Sequence, residues 1–197
     1  MAIIVDKDKK RRNIAIACTD LLLEKGLKNL RIAEIAKTAG IGKGTVYDYF
    51  ANKEAVVFEI IRNLIQEHHE DLNARSDENT TCREKVLYLF DFYLCEFNDY
   101  QQHLKVYKEY IAAILSNGDL SMSEFNKECT DFIHQILTKI IHDGIVKGEI
   151  KAVAENLIYG MLASERGFML MDWTENRTCK QKLKVYINTL FDLIEIK

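Results

Sequence analysis

Not one proline interrupts this chain of 197 residues, and only nine glycines do. Proline breaks helix interiors and is confined to the edges of sheets, so a chain without it meets few obligatory stops. Apolar residues recur at i, i+3, i+4 and i+7, and runs that alternate with a period of two are absent. Long helices joined by short turns follow. With 48% apolar residues, the chain buries a sizeable interior as one ordinary domain or two small ones sharing a core. The predicted class is all-α, with about nine helices. No internal repeat or low-complexity tract stands out.

The most informative stretch is IAEIAKTAGIGKGTVYDYFANK, residues 32–53. Ile32, Ile35 and Ala36 give a short helix one apolar face. In Ala39-Gly40-Ile41-Gly42, Gly40 supplies the φ > 0 conformation of a sharp helix-to-helix turn. Ile41 plugs the gap between the helices, and Gly42 is an N-cap without a side-chain oxygen. On a wheel of ~100° per residue, Val46, Tyr49 and Phe50 of the second helix face inward. Gly44, Thr45, Tyr47 and Asp48 face outward with Lys43 at their edge. Such a face suits a DNA major groove, the glycine allowing close approach and the hydroxyls and Lys43 reaching phosphates. An ordinary helical hairpin with a solvated face accounts for the turn chemistry equally well.

Ile35 to Glu54 resembles, without gaps, the helix-turn-helix signature of the tetracycline-repressor (TetR) family, roughly I-A-x-x-A-G-V-S-K-G-T-L-Y-x-Y-F-x-S-K-E. Ile41 and Val46 are conservative changes. Gly42 replaces a usual Ser, and Arg31 a usual Thr or Ser, so two capping hydroxyls are missing; Asn52 replaces a Ser and keeps its capping ability. Asp48 puts an acid at a variable position, unusual beside DNA. The resemblance implies a regulator that binds a palindromic stretch of double-stranded operator DNA as a homodimer and is released by a small-molecule effector. Residues 1–53 are then the DNA-binding domain, three helices with a helix-turn-helix, and residues 54–197 the helical effector-binding and dimerisation domain. The DNA-contact set is Arg31, Lys43, Gly44, Thr45, Tyr47, Asp48, Tyr49 and Lys53, Tyr49 included although the wheel turns it inward. Lys53 stands at a helix start, where open amides and the helix dipole already favour a phosphate.

Charge agrees with that division. Residues 1–53 hold 11 Lys/Arg against 6 Asp/Glu, and the remainder 16 against 24. A basic head on an acidic body fits DNA at one end and another partner at the other. The first helix spans Lys7 to Lys25 and is ended by Gly26, with Lys9-Lys10-Arg11-Arg12 along the DNA backbone or simply solvated. Asn52 caps a helix from Lys53 to about Ala74. Further helices are predicted at 82–98, 101–116, 121–147, 152–175 and 179–195, with turns at Asn117-Gly118 and Lys147-Gly148. The aromatics of the first of these (Tyr88, Phe90, Phe92, Tyr93, Phe97) read as core. The amino terminus has its apolar residues before its charges, the reverse of a signal peptide. The apolar stretch 157–173 carries Glu165, Arg166 and Asp172, which argues against a membrane span. Cys18, Cys82, Cys95, Cys129 and Cys179 lie far apart with no CxxC, as in a reducing cytoplasm.

Aromatic and polar tips on apolar surface make His68, Phe92, His103, Tyr107, Phe132, His134, Glu165 and Met169 the effector candidates. A ligand between the Lys53 helix and the helices around Tyr107, Phe132 and Met169 would tilt that helix and misplace the reading heads. For dimerisation the candidates are the small residues Gly160, Ser164 and Gly167, with Leu183, Tyr186, Ile187, Leu190, Phe191 and Ile194 on the final helix. Intramolecular packing is the other reading of that apolar face. Two other functions compete: a regulator controlled by a partner protein or by cysteine redox state, and, more remotely, a small helical enzyme. No GxxxxGK[ST], GxSxG or HExxH is present, and no catalytic, metal or cofactor-binding residue is assigned.

Overall fold

A computed structural model describes residues 6–95, 98–117, 120–175 and 178–196. Among them are eleven α-helices and one 3-10 helix, and the all-α class holds. Phe97 and Gly118 lie outside the described residues. Two compact units emerge, residues 1–67 with 102–127, and 68–101 with 128–197.

In the first unit, α1 (Lys7–Ala17) is capped by Asp6, whose carboxylate accepts from the Lys9 amide. The helix predicted from Lys7 to Lys25 is in fact two, because Cys18 leaves the helical pattern (φ −96°, ψ 1°) before α2 (Thr19–Asn29). Cys18 is fully buried against the Ile35 carbonyl, so packing sets this break. Within α2 the helical path stops at Gly26, where φ is 70°. Then come α3 (Ile32–Thr38), α4 (Lys43–Tyr49) and α5 (Lys53–Arg75). Asn52 caps α5, its Oδ1 accepting from the Ala55 amide at 2.8 Å. Ile14, Leu22, Ile35, Val46, Phe50, Val57 and Ile60 form the core. Part of α8 (Asn98–Asn117) and the start of α9 (Leu120–Val146) complete the unit. There Phe58 stacks on Phe125 (4.5 Å between ring centroids) and the buried Tyr110 hydroxyl donates to the Met122 carbonyl.

In the second unit, α6 (Cys82–Leu89) opens with a full capping box between Thr81 and Glu84. The helix predicted over 82–98 breaks at the buried Phe90 (φ −88°, ψ 0°), and α7 (Asp91–Leu94) follows. The helix predicted over 152–175 begins as a 3-10 helix (Ala152–Leu157) and becomes α10 (Ile158–Glu175). α11 (Lys180–Ile194) packs on α6, α7 and α10. Arg83 holds it down with two bonds to Glu195 and one to Asp192, all at 2.7 Å.

Gly144 sits where α9 meets α6. A Cβ built there lies 2.7 Å from Cys82 Sγ, 2.8 Å from Cys82 Cβ and 3.3 Å from Ile150 Cδ1. In a free helix alanine is preferred to glycine by about 1 kcal/mol. Here Gly144→Ala should instead destabilise by about 1–3 kcal/mol, as overpacking does. Thermal melts of Gly144→Ala alone and with Cys82→Ala check this, since the double variant should recover part of the loss.

Candidate nucleic-acid interface and body site

The α3–α4 hairpin is pinned from within by Ile35, Ala36, Val46 and Phe50, all buried. Its turn runs through Gly40 at φ 66°, and the Ile41 amide donates to the Ala36 carbonyl at 2.9 Å. No atom lies within 4 Å of a Cβ built on Gly40, so left-handed backbone alone reserves that position for glycine. Gly42 contributes no side-chain cap, and the first amides of α4 remain open to a solvent-side acceptor.

Along α4, Lys43, Gly44, Tyr47 and Asp48 are exposed, while Thr45 and Tyr49 are half-buried. Tyr47 keeps 59% of its surface in solvent, a large ring with no core to serve. Space around Gly44 is open too, so packing within the protein does not explain its lack of a side chain. Among the described residues, neither Lys43 nor Asp48 has an ion-pair partner. Arg31 is exposed at the start of α3 and donates no cap.

Three basic residues carry tasks that the sequence did not reveal. Lys53 Nζ donates to the carbonyls of Leu27 (2.9 Å) and Lys28 (3.0 Å), closing the end of α2 and leaving one N–H for a phosphate. Arg11 pairs with Glu59 at 2.7 Å, donates to the Tyr49 carbonyl and lies over the Phe50 ring, while Arg12 pairs with Glu67. Both arginines therefore tie α1 to α5, and the reading of 9–12 as a basic strip narrows to Lys9 and Lys10. Arg11 also fixes the end of α4, a positioning role without a local signal.

The eight effector candidates do not converge on one site within a unit. In the first unit, Tyr107 lies beside Tyr110 (6.4 Å) and His103 lines a cavity against α5. In the second, buried His68 donates through Nε2 to the Leu89 carbonyl at 2.7 Å and meets Phe92 edge-on. Burial holds this imidazole below its usual pKa. Phe132 meets the ring of His69, and Met169 is buried. His134 stacks at 4.5 Å on the exposed Tyr159 and lines an open depression with Thr138 and His142, an outer surface and not an interior cavity.

Glu165 is half-buried on α10, and burial pushes its carboxyl up to about 7, only partly opposed by Arg166. An unfolded Glu ionises near its ordinary 4.5, so the folded state alone keeps the proton between those values. Stability from this group is complete below about 4.5 and is lost as pH rises towards about 7. Glu165→Gln should thus gain on the parent at pH 8 by up to about 3 kcal/mol, less as water reaches the carboxyl, and match it near pH 4. Melting both proteins across that range checks the sign.

The dimer candidates divide. Leu183, Ile187, Phe191 and Ile194 are buried inside their own unit, because the broad face of α11 is spent on α6, α7 and α10. Tyr186, Leu190 and Ser164 are half-buried, and Gly160 and Gly167 are exposed. Outward-facing apolar groups that the sequence reading passed over are Tyr159, Leu170, Val185 and Leu193. Among the described residues no cysteine forms a disulfide, and burial pushes the Cys18 thiol to about 11 and Cys82 to about 12. Among the described residues no metal-binding cluster of His, Cys, Asp and Glu occurs, and no helix is long and apolar enough to cross a membrane.

Residues 17–60 match the profile described as bacterial regulatory proteins, tetR family. Over 162 residues the chain is 26% identical to the fatty acid metabolism regulator protein of Bacillus subtilis (strain 168), covering 79% of this chain and 81% of that one. A TetR transcription regulator from Haloarcula marismortui has the same fold at a TM-score of 0.77 and 17% identity, covering 95% and 99% of the two chains. A putative transcriptional regulator from Saccharomonospora viridis, solved in complex with choline, is similar at 0.74 and 19%, covering 96% and 99%.

Proposed function

This chain is a TetR-family transcriptional regulator, and from that premise we propose that it acts as a homodimeric repressor whose operator affinity falls when a small molecule binds its body. The observation that carries the reading is the outer edge of α4, where Lys43, Gly44, Tyr47 and Asp48 are exposed beside a turn locked by Gly40. Residues 1–53 read DNA, with Arg31, Lys43, Tyr47 and the remaining N–H of Lys53 on phosphates and Asp48 at a base edge. Residues 54–197 carry dimerisation and effector binding. The protein works in the cytoplasm, where its DNA is.

The named relatives differ in chemistry, one concerned with fatty acid metabolism and one holding choline, so the effector class is set by this chain's own body. Thermodynamic linkage then requires the operator to weaken effector binding by the factor with which the effector weakens operator binding. Control by cysteine oxidation is the weaker alternative, since burial keeps the Cys18 and Cys82 thiols protonated and poorly nucleophilic.

Footprinting on the DNA upstream of the chain's own gene tests the proposal. Protection of two inverted half-sites, centred about one helical turn or a multiple apart, is the expected result. Protection without two-fold symmetry, or none at any salt concentration, overturns it.

A further inference from the structure

Glu59 of α5 belongs to the unit that carries α3 and α4, where a carboxylate is a liability. Phosphate repels it, and its removal ordinarily strengthens binding to any duplex. Its side chain is nevertheless only 14% exposed and is held from two sides. Arg11 of α1 donates through Nε to its Oε2 at 2.7 Å, and Arg62, one turn along α5, stands 3.7 Å from the same oxygen. Arg62 in turn lies over the ring of Phe125, which stacks on Phe58. The carboxylate is thus a fixed point, buttressed from α9 as well as from its own helix.

What it fixes is Arg11. With Nε on Glu59, the guanidinium stands where Nη1 donates to the Tyr49 carbonyl at 3.3 Å and its carbon lies 4.9 Å from the centre of the Phe50 ring. Tyr49 is the last residue of α4, a helix of seven residues, and the last carbonyls of a helix have no donor within it. A cation at that end also suits the helix dipole. Tyr47 and Asp48 immediately precede this anchor, so a turn of α4 about its axis moves both at once. We propose that Glu59 is a positioning residue for operator recognition: it touches no DNA, and acts through Arg11 to fix the angle at which α4 presents Tyr47 and Asp48. The inference rests on the reading of α4 as the helix that meets the operator.

The probes are the duplex that the parent protein selects from a randomised pool and a scramble of it. Glu59→Gln keeps the shape, but a neutral amide holds Arg11 by a weaker bond. Affinity for the selected duplex should fall about tenfold, while affinity for the scramble stays level or rises slightly and the salt slope is unchanged. In an Arg11→Ala background the same substitution should cost about twofold or less, as for two residues acting through one contact. Glu67 pairs with Arg12 further along α5, so Glu67→Gln removes an equal charge from the same helix and should cost the selected duplex nothing. Arg11→Lys puts one ammonium in place of the fork and should repeat the loss even if Glu59→Gln folds poorly. Affinity for the selected duplex that holds or rises in Glu59→Gln, with a salt slope steeper by about one unit, would show that Glu59 only keeps Arg11 from phosphate, and the inference would be overturned. An equal loss on both duplexes would mark a fault in folding, and an undiminished loss without Arg11 a route that bypasses it; either removes the positioning role. A parent that selects no sequence at all would strike the reading of α4 itself, and the inference with it.

Discussion

Asp48→Asn is expected to change which base the protein prefers at one position of each half-site, by about 1–3 kcal/mol per site. Asp48 is exposed on the same edge of α4 as Gly44 and Tyr47, and no cation among the described residues pairs with it. An acid so placed is repelled by phosphate and is tolerated where it can accept from the amino group of a cytosine. Asparagine abolishes the charge and favours an adenine. Because a symmetric operator presents the base twice, the parent sequence should lose affinity at both half-sites together. Lys43→Ala is the contrast. It should weaken operator and random DNA alike and lower the salt slope by about one unit per lost phosphate contact. Selection from a randomised operator decides the matter, since one consensus for parent and Asp48→Asn would reject base reading by this residue.

The reading head was legible because its determinants are local. Apolar spacing at Ile35 and Ala36, the left-handed glycine at 40 and the capping Asn52 each act within four residues of the structure they create. Lys53, Arg11 and Arg12 have intramolecular partners that no local pattern announces, since those partners stand 25 to 55 positions away and charge in a sequence looks the same whether it meets DNA or a carbonyl. The helix breaks at Cys18 and Phe90 escaped for a related reason. Both are buried apolar residues that fit a helical period, and Cys18 lies against the Ile35 carbonyl 17 positions away. Gly144 gave no signal at all, since a mid-helix glycine marks no turn and the side chain it accommodates belongs to residue 82. For the body candidates the difficulty is one of principle. An apolar face records that something covers it, without recording whether the cover is the same chain, a second copy or a ligand.

That ambiguity is what Gly167→Arg resolves for the dimer. On α11 the buried residues Leu183, Ile187, Phe191 and Ile194 serve their own unit, so what remains for a second copy is the outer side of α10 and α11. There Tyr159 is 74% exposed, Leu193 66% and Val185 55%, beside the small residues Gly160, Ala163 and Gly167. Small residues let two helices approach closely, and apolar rings and branches at the margins supply the area that leaves water. A Cβ at Gly167 meets nothing within 4 Å, so an arginine there leaves the protomer's own packing alone. Placed between two copies, the same side chain would bury a charge without a partner, at a cost the contact cannot offset. Sedimentation should therefore show a monomer of unchanged helical content. With the two heads no longer joined, affinity for the whole operator should fall by about 10²–10⁴-fold, while affinity for an isolated half-site stays where it was. A dimer that persists in the variant with full operator affinity would move the interface away from α10.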